Sequence, residues 1–330
     1  MKIVIPVAGF GTRLKPHTFT KPKPLLHVAG KTVLEHVLDS LKELEFDEVI
    51  FITGHLKEKI EAFMKDRYAF KCTFIEQKVR DGTAGAIRLT ESIVSGEELL
   101  IVYADTIFEA DFDIVKKAHA DADVQGIIWV KEVEDYQRFG VAVLDAQGFM
   151  TKFVEKPDTP ISKLANIGVY YIKDSTLLFA GINHIYTRKI TTKGEFFLTD
   201  AIQYMIDHGA KIKTAPVKGW YDCGAFGTLL ETNRILLEKN HPHKSKPENS
   251  VIVDPVFIDD DVVIDHSIIG PNVSIAKGCE IKNSIVRNSI IDTDATLDNI
   301  NIINSTIGAH AVAAGSSKKM NIGDSSEVRQ

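Results

Sequence analysis

The chain has few cysteines, no excess of basic residues and no long uninterrupted apolar run. Its 3 cysteines, Cys72, Cys223 and Cys279, are far apart and form no CxxC motif, so the sequence predicts neither a disulfide framework nor a zinc site. The 39 Lys+Arg against 45 Asp+Glu give a formal net charge of −6, which argues against a protein that coats nucleic acid through general positive charge. No segment approaches the roughly 20 apolar residues that a membrane span needs.

The overall composition is typical of a globular protein, and the chain is long enough for two domains. The sequence has 330 residues, of which 44% are hydrophobic and 25% are charged. Its first residues, 1–13, contain no apolar core of the length found in secretory signal peptides. We therefore expect a cytoplasmic protein whose partners include neither nucleic acid nor a membrane.

The first part of the chain alternates between two apolar periodicities. Short runs rich in β-branched residues, such as 3–7 and 48–53, are typical of buried parallel strands, and residues 33–41 show helical spacing. This alternation predicts an α/β fold, a Rossmann-like domain with a mostly parallel sheet and helices on both faces. Further strands are predicted at 72–76, 99–103, 124–130, 140–145 and 167–172, and further helices at 56–64, 85–92 and 199–208.

A polar segment with two prolines, residues 238–247, supports no apolar period and predicts a domain boundary. Beyond it, aliphatic residues recur every six positions, namely Ile252, Ile258 and Ile264, then Ile269, Ile275 and Ile281, and then Ile291, Leu297 and Ile303. This period favours a parallel β-helix over the alternative, a β-sandwich. We predict an α/β domain at 1–240, a linker at 241–250 and a β-helix at 251–330, whose repeat ends near Val312 and is followed by a polar tail.

Two glycines, Gly9 and Gly11, follow the first predicted strand. They allow backbone N–H groups to approach a phosphate or a base closely, and Arg13 and Lys23 can neutralise phosphate oxygens. The loop is neither a dinucleotide fingerprint, because Leu14 stands where the third glycine belongs, nor a P-loop, which requires Gly-Lys-Ser/Thr. The alternative is a tight turn with solvated basic residues beyond it.

The same loop carries a resemblance to a known family. Gly9-x-Gly11-Thr12-Arg13, followed by Lys23-Pro24-Leu25, closely resembles the signature of the sugar-1-phosphate nucleotidyltransferases, which make nucleotide sugars. Further family motifs follow in order: Gln77 with Asp81-Gly82-Thr83-Ala84, Tyr103-Ala104-Asp105, Phe139-Gly140-Val141, Val154-Glu155-Lys156-Pro157, Asn166-Ile167-Gly168-Val169-Tyr170 and Trp220-Tyr221-Asp222-Cys223-Gly224. The resemblance covers residues 1 to about 240, and the repeat resembles the left-handed β-helix appended to many members.

Asp105 and Asp222 are the predicted metal ligands. Each ends an apolar strand-like segment, and open parallel sheets bind ligands beyond the carboxyl ends of their strands. Mg²⁺ prefers carboxylate oxygens, so the two aspartates suit a Mg²⁺ site. A lone Asp after a strand is more often a turn or cap residue, and it is the resemblance that favours the metal interpretation.

The resemblance also implies a role for each remaining site residue. Three basic residues are the predicted catalytic groups, namely Arg13, Lys23 and Lys156. Nucleotide binding is predicted at Ala8, Gly9, Gly11, Thr12, Gln77, Gly82 and Thr83. Sugar-phosphate binding is predicted at Gly140, Glu155, Lys156 and Asn166. The Gln77 amide suits the Watson–Crick edge of thymine or uracil, with an ordinary surface glutamine as the alternative.

These observations predict an enzyme that condenses a sugar 1-phosphate with a nucleoside triphosphate, releasing pyrophosphate. Glucose 1-phosphate and dTTP are the expected substrates, with UTP, GTP and mannose 1-phosphate as alternatives. Ala104, Thr106, Cys223 and Thr32 depart from residues common in the family and weaken the transfer of specificity.

Two other classes of function are disfavoured. A non-catalytic regulatory subunit is disfavoured because the charged residues are all present. An acyltransferase site at His266 or His310 is disfavoured because the repeat is short. We expect the β-helix to be structural and to support a homo-oligomer.

Overall fold

The computed structural model describes residues 1–65, 67–240, 247, 249–315 and 321–329. Most of the predicted linker, 241–246 and 248, lies outside these residues, as do residues 316–320 and 330 of the predicted tail. Among the residues described, no helix combines the length and apolar character needed to cross a membrane.

The chain forms two compact units, each made of several segments. The sheet unit consists of Met1–Gly9, Ser40–Ala104 and Phe108–Trp220. The β-helix unit consists of Phe10–Asp39, Asp105–Ile107 and the described part of Tyr221–Gln330. The part of the signature loop that carries Gly11, Arg13 and Lys23 therefore belongs to the same compact unit as the β-helix, although more than 200 residues separate them in the chain.

The α/β part contains strands and helices in alternation. Its strands are β1 (Lys2–Pro6), β2 (His27–Val28), β3 (Lys31–Thr32), β4 (Glu48–Thr53), β5 (Lys71–Glu76), β6 (Leu99–Val102), β7 (Thr106–Ala110), β8 (Gly126–Glu132), β9 (Gly140–Leu144), β10 (Met150–Glu155), β11 (Leu164–Ile172) and β12 (Ile212–Asp222). Its helices are α1 (Val33–Ser40), α2 (Lys57–Met64), α3 (Thr83–Arg88), α4 (Glu91–Val94), α5 (Asp113–Ala120), α6 (Thr176–Arg188), α7 (Leu198–Asp207) and α8 (Phe226–Asn240). Short 3₁₀ turns lie at Thr12–Leu14, His17–Phe19, Lys23–Leu25 and Tyr136–Arg138.

The main sheet has the strand order β5-β4-β1-β6-β11-β8-β12-β7. Strand β1 pairs in parallel with β4 and β6, and β8 pairs in parallel with β12, whereas β11 runs antiparallel to both β6 and β8. Buried aliphatic residues such as Val4, Ile50 and Ile101 stabilise it by removing apolar surface from water. The predicted α/β class with a mostly parallel sheet is confirmed.

The predicted boundaries were less accurate than the predicted class. The single helix expected at 85–92 is two helices, α3 and α4. Strands β2, β3, β7, β10 and β12 and helices α5, α6 and α8 were not predicted. In β12 the reason is visible: Pro216 lies inside the strand, opposite Val130, and proline normally argues against a strand interior because it has no N–H to donate.

The C-terminal repeat folds into a left-handed parallel β-helix, as predicted. Its strands are β13 (Val251–Ile252), β14 (Val256–Ile258), β15 (Val263–Asp265), β16 (Ile268–Ile269), β17 (Val273–Ile275), β18 (Glu280–Lys282), β19 (Ile285–Arg287), β20 (Ser289–Ile291), β21 (Thr296–Asp298), β22 (Asn301–Ile303), β23 (Thr306–Ile307), β24 (Val312–Ala314), β25 (Asn321–Ile322) and β26 (Glu327–Arg329). They form three parallel sheets, β13-β16-β19-β22, β14-β17-β20-β23-β25 and β15-β18-β21-β24-β26.

The six-residue period has a direct structural cause. Ile252, Ile258 and Ile264 lie on β13, β14 and β15, one in each of the three sheets, and each contributes to the β-helix core. Ile258, Ile275 and Ile291 are register partners in successive coils, and each is fully buried. Beyond residue 320, β25 and β26 pair in parallel with β23 and β24. The repeat therefore continues past Val312, where the sequence analysis ended it.

The signature loop and the β-helix share a hydrophobic core inside the β-helix unit. Residues of the loop (Leu14, Leu26 and Val28), of α8 and of the β-helix (Phe257 and Ile290) are buried together. Gly30 has a positive φ of +88°, and a Cβ there would lie 2.5 Å from the Phe257 ring. Only glycine allows this close approach.

One buried asparagine on α8 also joins these parts. The Asn233 Oδ1 atom accepts a hydrogen bond from the Ala29 N–H at 2.9 Å and another from the Ser274 hydroxyl. Its Nδ2 donates to the Asn272 carbonyl of the β-helix at 3.3 Å. The polar groups of this fully buried side chain are thus paired, as burial requires.

Candidate active site

The glycine loop exposes Thr12, a predicted nucleotide-binding residue, and Arg13, a predicted phosphate-binding residue. Gly11 adopts a left-handed conformation with φ 61° and ψ 39°, and its carbonyl accepts a hydrogen bond from the Thr18 hydroxyl at 2.9 Å. A Cβ on Gly11 would lie 2.8 Å from the Thr18 methyl group, so this position requires glycine. Arg13 is exposed and forms no salt bridge within the described ranges, which leaves its guanidinium accessible to a ligand.

The neighbouring residues Ala8 and Gly9 end the segment that follows β1 in the sheet unit. Ala8 is buried, and its carbonyl accepts a hydrogen bond from Arg80 Nε at 3.0 Å. Gly9 is exposed, and a Cβ there would meet no heavy atom within 4 Å. Packing within the described protein therefore explains the glycine at 11 but not the one at 9.

Three predicted site residues lie together in the β-helix unit. Lys23 Nζ is 3.3 Å from Asp105 Oδ2, and the Cys223 N–H donates to the Asp105 carbonyl at 3.2 Å. Asp222 Oδ1 accepts a hydrogen bond from the Gly224 N–H at 2.7 Å, and a Cβ on Gly224 would lie 3.4 Å from Lys23 Nζ. Lys23, Asp105 and Asp222 thus form one charged cluster at the carboxyl end of β12 and the start of β7.

This cluster is compatible with Mg²⁺ but not with a metal cage built by protein alone. Among the residues described, no group of three or more His, Cys, Asp or Glu side chains is placed to hold a metal. Mg²⁺ is commonly bound by one or two carboxylates and completed by water and substrate phosphates. Asp105 and Asp222, with Lys23 beside them, fit a Mg²⁺ ion that is also bound by water and substrate phosphates.

Cys223 lies between these charged groups without taking part in their chemistry. Its side chain is fully buried, and burial raises the pKa of the thiol to about 12. A thiol with that pKa remains protonated near neutral pH and is a weak nucleophile. The departure from the family pattern at this position therefore removes no reactive group and adds none.

Two of the predicted base-binding residues, Gly82 and Thr83, contact residues around the start of α7. Gly82 has a φ of +124°, and a Cβ there would lie 2.2 Å from the Phe196 carbonyl oxygen. The Thr83 hydroxyl accepts a hydrogen bond from the Leu198 N–H at 2.9 Å. Gln77 is buried, which disagrees with the alternative of an ordinary surface glutamine.

The predicted sugar-phosphate residues form a second cluster in the sheet unit. Glu155 accepts a hydrogen bond from the Thr199 hydroxyl at 3.1 Å and lies 3.5 Å from Lys156 Nζ. The Lys156 ammonium also lies over the Phe197 ring, 4.3 Å from its centroid. Burial raises the pKa of Glu155, although Lys156 and Thr199 oppose this shift. A Cβ on Gly140 would lie 3.0 Å from Glu155 Oε2, so glycine keeps this space open.

Both polar atoms of the Asn166 side-chain amide form hydrogen bonds within the protein. Its oxygen accepts a hydrogen bond from the Gly168 N–H at 2.8 Å, and its nitrogen donates to the Tyr170 hydroxyl at 2.5 Å. The pairing of β11 with β8 is irregular between these residues. The side chain is therefore fixed at a bulge, a feature that is frequent beside active sites.

The sequence analysis missed the residues that support these clusters. Phe197 and Thr199 contact Lys156 and Glu155, but in the sequence they only precede or begin a predicted helix. The Tyr186 hydroxyl, on the unpredicted helix α6, donates a hydrogen bond to Asp81 at 2.5 Å beside the predicted base-binding loop. A single sequence contains no signal that pairs positions more than 40 residues apart.

Comparison with known proteins gives matches over most of the chain. Residues 2–239 match the family model described as "Nucleotidyl transferase". A "Bifunctional protein GlmU" from Methanocaldococcus jannaschii is 36% identical over 256 residues, which is 77% of this chain and 59% of that protein. A "Glucose-1-phosphate thymidylyltransferase" from Streptomyces antibioticus is 29% identical over 359 aligned positions, covering 99% of each chain.

A solved structure has the same fold over the α/β part. The UDP-glucose pyrophosphorylase complexed with UDP-glucose superimposes with a TM-score of 0.64 and 23% identity, covering 72% of this chain and 99% of that one. The chain spans less than two thirds of the Methanocaldococcus relative but the whole length of the Streptomyces one.

Proposed function

Because the chain belongs to the sugar-1-phosphate nucleotidyltransferase family, we propose that it condenses glucose 1-phosphate with dTTP to give dTDP-glucose and pyrophosphate. The observation that carries this choice of substrates is the match to a glucose-1-phosphate thymidylyltransferase over 99% of both chains, β-helix included. Thymine and uracil present the same hydrogen-bonding edge, so UTP is the second candidate.

The reaction is an in-line displacement at phosphorus. A phosphate oxygen of the sugar 1-phosphate attacks the α-phosphorus of the triphosphate and forms a new P–O bond. The bond from the α-phosphorus to the bridging oxygen of the β-phosphate breaks, and pyrophosphate leaves with that electron pair. No protein nucleophile is required, so catalysis depends on positioning and charge neutralisation.

The phosphates of the triphosphate are the proposed ligands of Arg13 and Lys23. Arg13 is exposed without an ion pair in the described protein, and Lys23 Nζ is held near Asp105. Their positive charges favour the build-up of negative charge on the leaving pyrophosphate. Asp105 and Asp222 are the proposed ligands of Mg²⁺, which when bound would neutralise triphosphate charge.

Glucose 1-phosphate is the proposed ligand of the Glu155 and Lys156 cluster. The Lys156 ammonium suits the phosphate, and the Glu155 carboxyl suits a sugar hydroxyl. Asn166 and Gly140 border the same sugar, and Gln77, Gly82 and Thr83 bind the base. Each of these groups binds or orients a substrate, and none exchanges a covalent bond with it.

A pyrophosphate-release assay with Mg²⁺ tests the substrates directly. It crosses dTTP, UTP, GTP, ATP and CTP with the 1-phosphates of glucose, N-acetylglucosamine, mannose and galactose. We expect the highest kcat/KM for dTTP with glucose 1-phosphate, and a product with the mass of dTDP-glucose. A clear preference for UTP or for another sugar would replace the proposed substrates, and no release with any pair would support a regulatory subunit.

We also propose a cytoplasmic homo-oligomer that associates through the β-helix. Val251 and Ile268 are register partners on one face of it and are 55% and 40% exposed. Apolar side chains in such a row favour association because contact removes them from water. Light scattering after size exclusion that shows only the 36.6 kDa monomer would contradict this proposal.

A further inference from the structure

A buried carboxylate of the β-helix faces the signature loop. Asp292 directly follows β20 and is 5% exposed. Its Oδ2 accepts a hydrogen bond from Lys21 Nζ, and its Oδ1 lies 2.8 Å from His27 Nδ1. The Thr293 N–H and hydroxyl also donate to Oδ1, at 2.8 and 3.0 Å. Burial alone would raise the pKa of Asp292, but His27 and Lys21 hold it well below its usual range, so the side chain is ionised.

The two basic partners of Asp292 lie on either side of Lys23 in the chain. Residues 21–27 read Lys-Pro-Lys-Pro-Leu-Leu-His, so one carboxylate holds both ends of a short segment whose freedom two prolines already restrict. Within that segment Lys23 begins a 3₁₀ turn, and its Nζ reaches Asp105 at 3.3 Å. Displacing either end of the segment would displace the ammonium group.

Further contacts join the loop to the same β-helix sheet. His17 Nε2 lies 2.7 Å from the Thr306 hydroxyl on β23 and 2.6 Å from Asn321 Oδ1 on β25. The Thr20 hydroxyl donates to Asp324. Successive coils therefore each contribute a polar side chain to the loop.

A buried ion pair is a poor means of adding stability, because the cost of removing charges from water offsets much of their attraction. If the loop only had to cover the β-helix, aliphatic side chains would hold it equally well. The hydrophobic core next to the ion pairs already contains such side chains. Charged groups fix direction and register more narrowly than apolar contacts do. The buried ion pairs of Asp292 are therefore better suited to fixing the position of the loop than to adding stability.

We propose that Asp292 is a positioning residue for the transfer reaction, acting through Lys21 and His27 to hold Lys23 in place for the triphosphate. The β-helix is then part of the catalytic apparatus and not only a platform for assembly. This inference rests on the proposed function, because it uses the proposed role of Lys23.

A double-mutant cycle tests the proposal. Asp292→Asn is combined with Lys23→Met, and pyrophosphate release and dTTP affinity by calorimetry are measured for all four proteins. Asp294→Asn is the matched control, since Asp294 lies two residues after Asp292, between β20 and β21, and its side chain is 52% exposed. Circular dichroism and thermal melts define a temperature at which every protein is folded.

We expect Asp292→Asn to lower kcat/KM for dTTP about 10-fold or more, because small displacements of a phosphate-binding group have large effects on rate. The same change should have less than about a 2-fold effect in the Lys23→Met background, and Asp294→Asn should have none. An equal loss in both backgrounds, or no loss in the wild type, overturns the proposal. If Asp292→Asn does not fold, Lys21→Met replaces it under the same criteria.

The cycle separates the inference from the proposed function. If Lys23→Met alone leaves kcat/KM for dTTP unchanged, the proposed role of Lys23 fails, and the positioning role of Asp292 fails with it. If Lys23→Met lowers it while Asp292→Asn acts independently, only the positioning role fails.

Discussion

The two compact units support their predicted site residues in different ways. In the sheet unit, Glu155 and Lys156 are held by Thr199 and Phe197, which precede or begin α7 of the same α/β core. In the β-helix unit, the loop that carries Lys23 is held by side chains of β-helix coils, Asp292 among them. The residues proposed to bind the sugar phosphate are therefore supported by the α/β core, whereas the loop proposed to bind the triphosphate is supported by the repeat.

This difference changes how the β-helix is understood. A repeat that follows a catalytic domain in sequence is readily taken as a separate module. Here Leu26 and Val28 of the loop share one core with Phe257 and Ile290 of the repeat. Disrupting the contacts between the repeat and the loop is therefore expected to lower catalytic activity as well as to affect oligomerisation.

Removing a metal ligand should have the largest effect. We expect Asp105→Asn and Asp222→Asn each to lower kcat about 10³-fold or more, because each removes a charge proposed to bind Mg²⁺. Pyrophosphate release measures the loss. Asp260→Asn, an exposed change in the β-helix unit, serves as the control and should retain wild-type activity. Wild-type turnover in either metal-ligand variant would refute the assignment.

Deleting the β-helix should remove activity together with folding of the loop. A chain ending at residue 250 would expose the core that Phe257 and Ile290 cover, at a cost of about 1.5–3 kcal/mol for each large side chain. Phe257→Ala is a milder form of the change and should destabilise by about 3–5 kcal/mol. Denaturant unfolding measures the loss of stability, and pyrophosphate release measures the loss of activity. A soluble 1–250 chain with wild-type kcat would show that the repeat is dispensable.

A change confined to the base-binding loop should affect only the nucleotide. In Gly82→Ala the new Cβ would lie 2.2 Å from the Phe196 carbonyl, so the loop must move. We expect KM for dTTP to rise about 10-fold with little change in KM for glucose 1-phosphate. Gly227→Ala, where a Cβ meets nothing within 4 Å, is the control. Equal effects on both substrates would contradict the expected separation.

Acidification should weaken the β-helix contact at His17 slightly. Burial lowers the pKa of His17, so the unfolded chain binds its proton more readily than the folded one. Stability from this group is complete above the unfolded pKa of about 6.5 and is lost as pH falls toward the folded value. The decrease in Tm from pH 7.5 to 5.5 should be smaller in His17→Gln, by about 2 °C or less. A larger decrease in the variant would contradict this sign.

The periodic parts of the fold were predictable from sequence, and the contacts between distant segments were not. Ile252, Ile258 and Ile264 follow the six-residue period because they lie on β13, β14 and β15, and each strand of a coil turns one aliphatic side chain inward. Strand β12 was missed because Pro216 interrupts its pattern. The close approach of Phe257 to Gly30 left no trace in the sequence, since an isolated aromatic and an isolated glycine have many other uses.

In the candidate site, too, some residues were predictable from the sequence and others were not. The resemblance to the family singled out Lys23, Asp105 and Asp222, and the structure places them in one cluster. Their supporting residues carried no motif. Asp292 looked like any polar residue after a short strand, and only its burial against Lys21 and His27 distinguishes it.

The central claim is that Lys23 of the β-helix unit binds the phosphates of the triphosphate and Lys156 of the sheet unit binds the sugar 1-phosphate. One pair of kinetic measurements tests it most directly. KM is measured for dTTP and for glucose 1-phosphate in Lys23→Met and in Lys156→Met. A charge-assisted hydrogen bond contributes about 1.5–3 kcal/mol, so each loss should change the affected constant about 10- to 100-fold. The account predicts that Lys23→Met raises KM mainly for dTTP and that Lys156→Met raises it mainly for glucose 1-phosphate. The reverse pattern, or equal increases for both substrates in both variants, would contradict it.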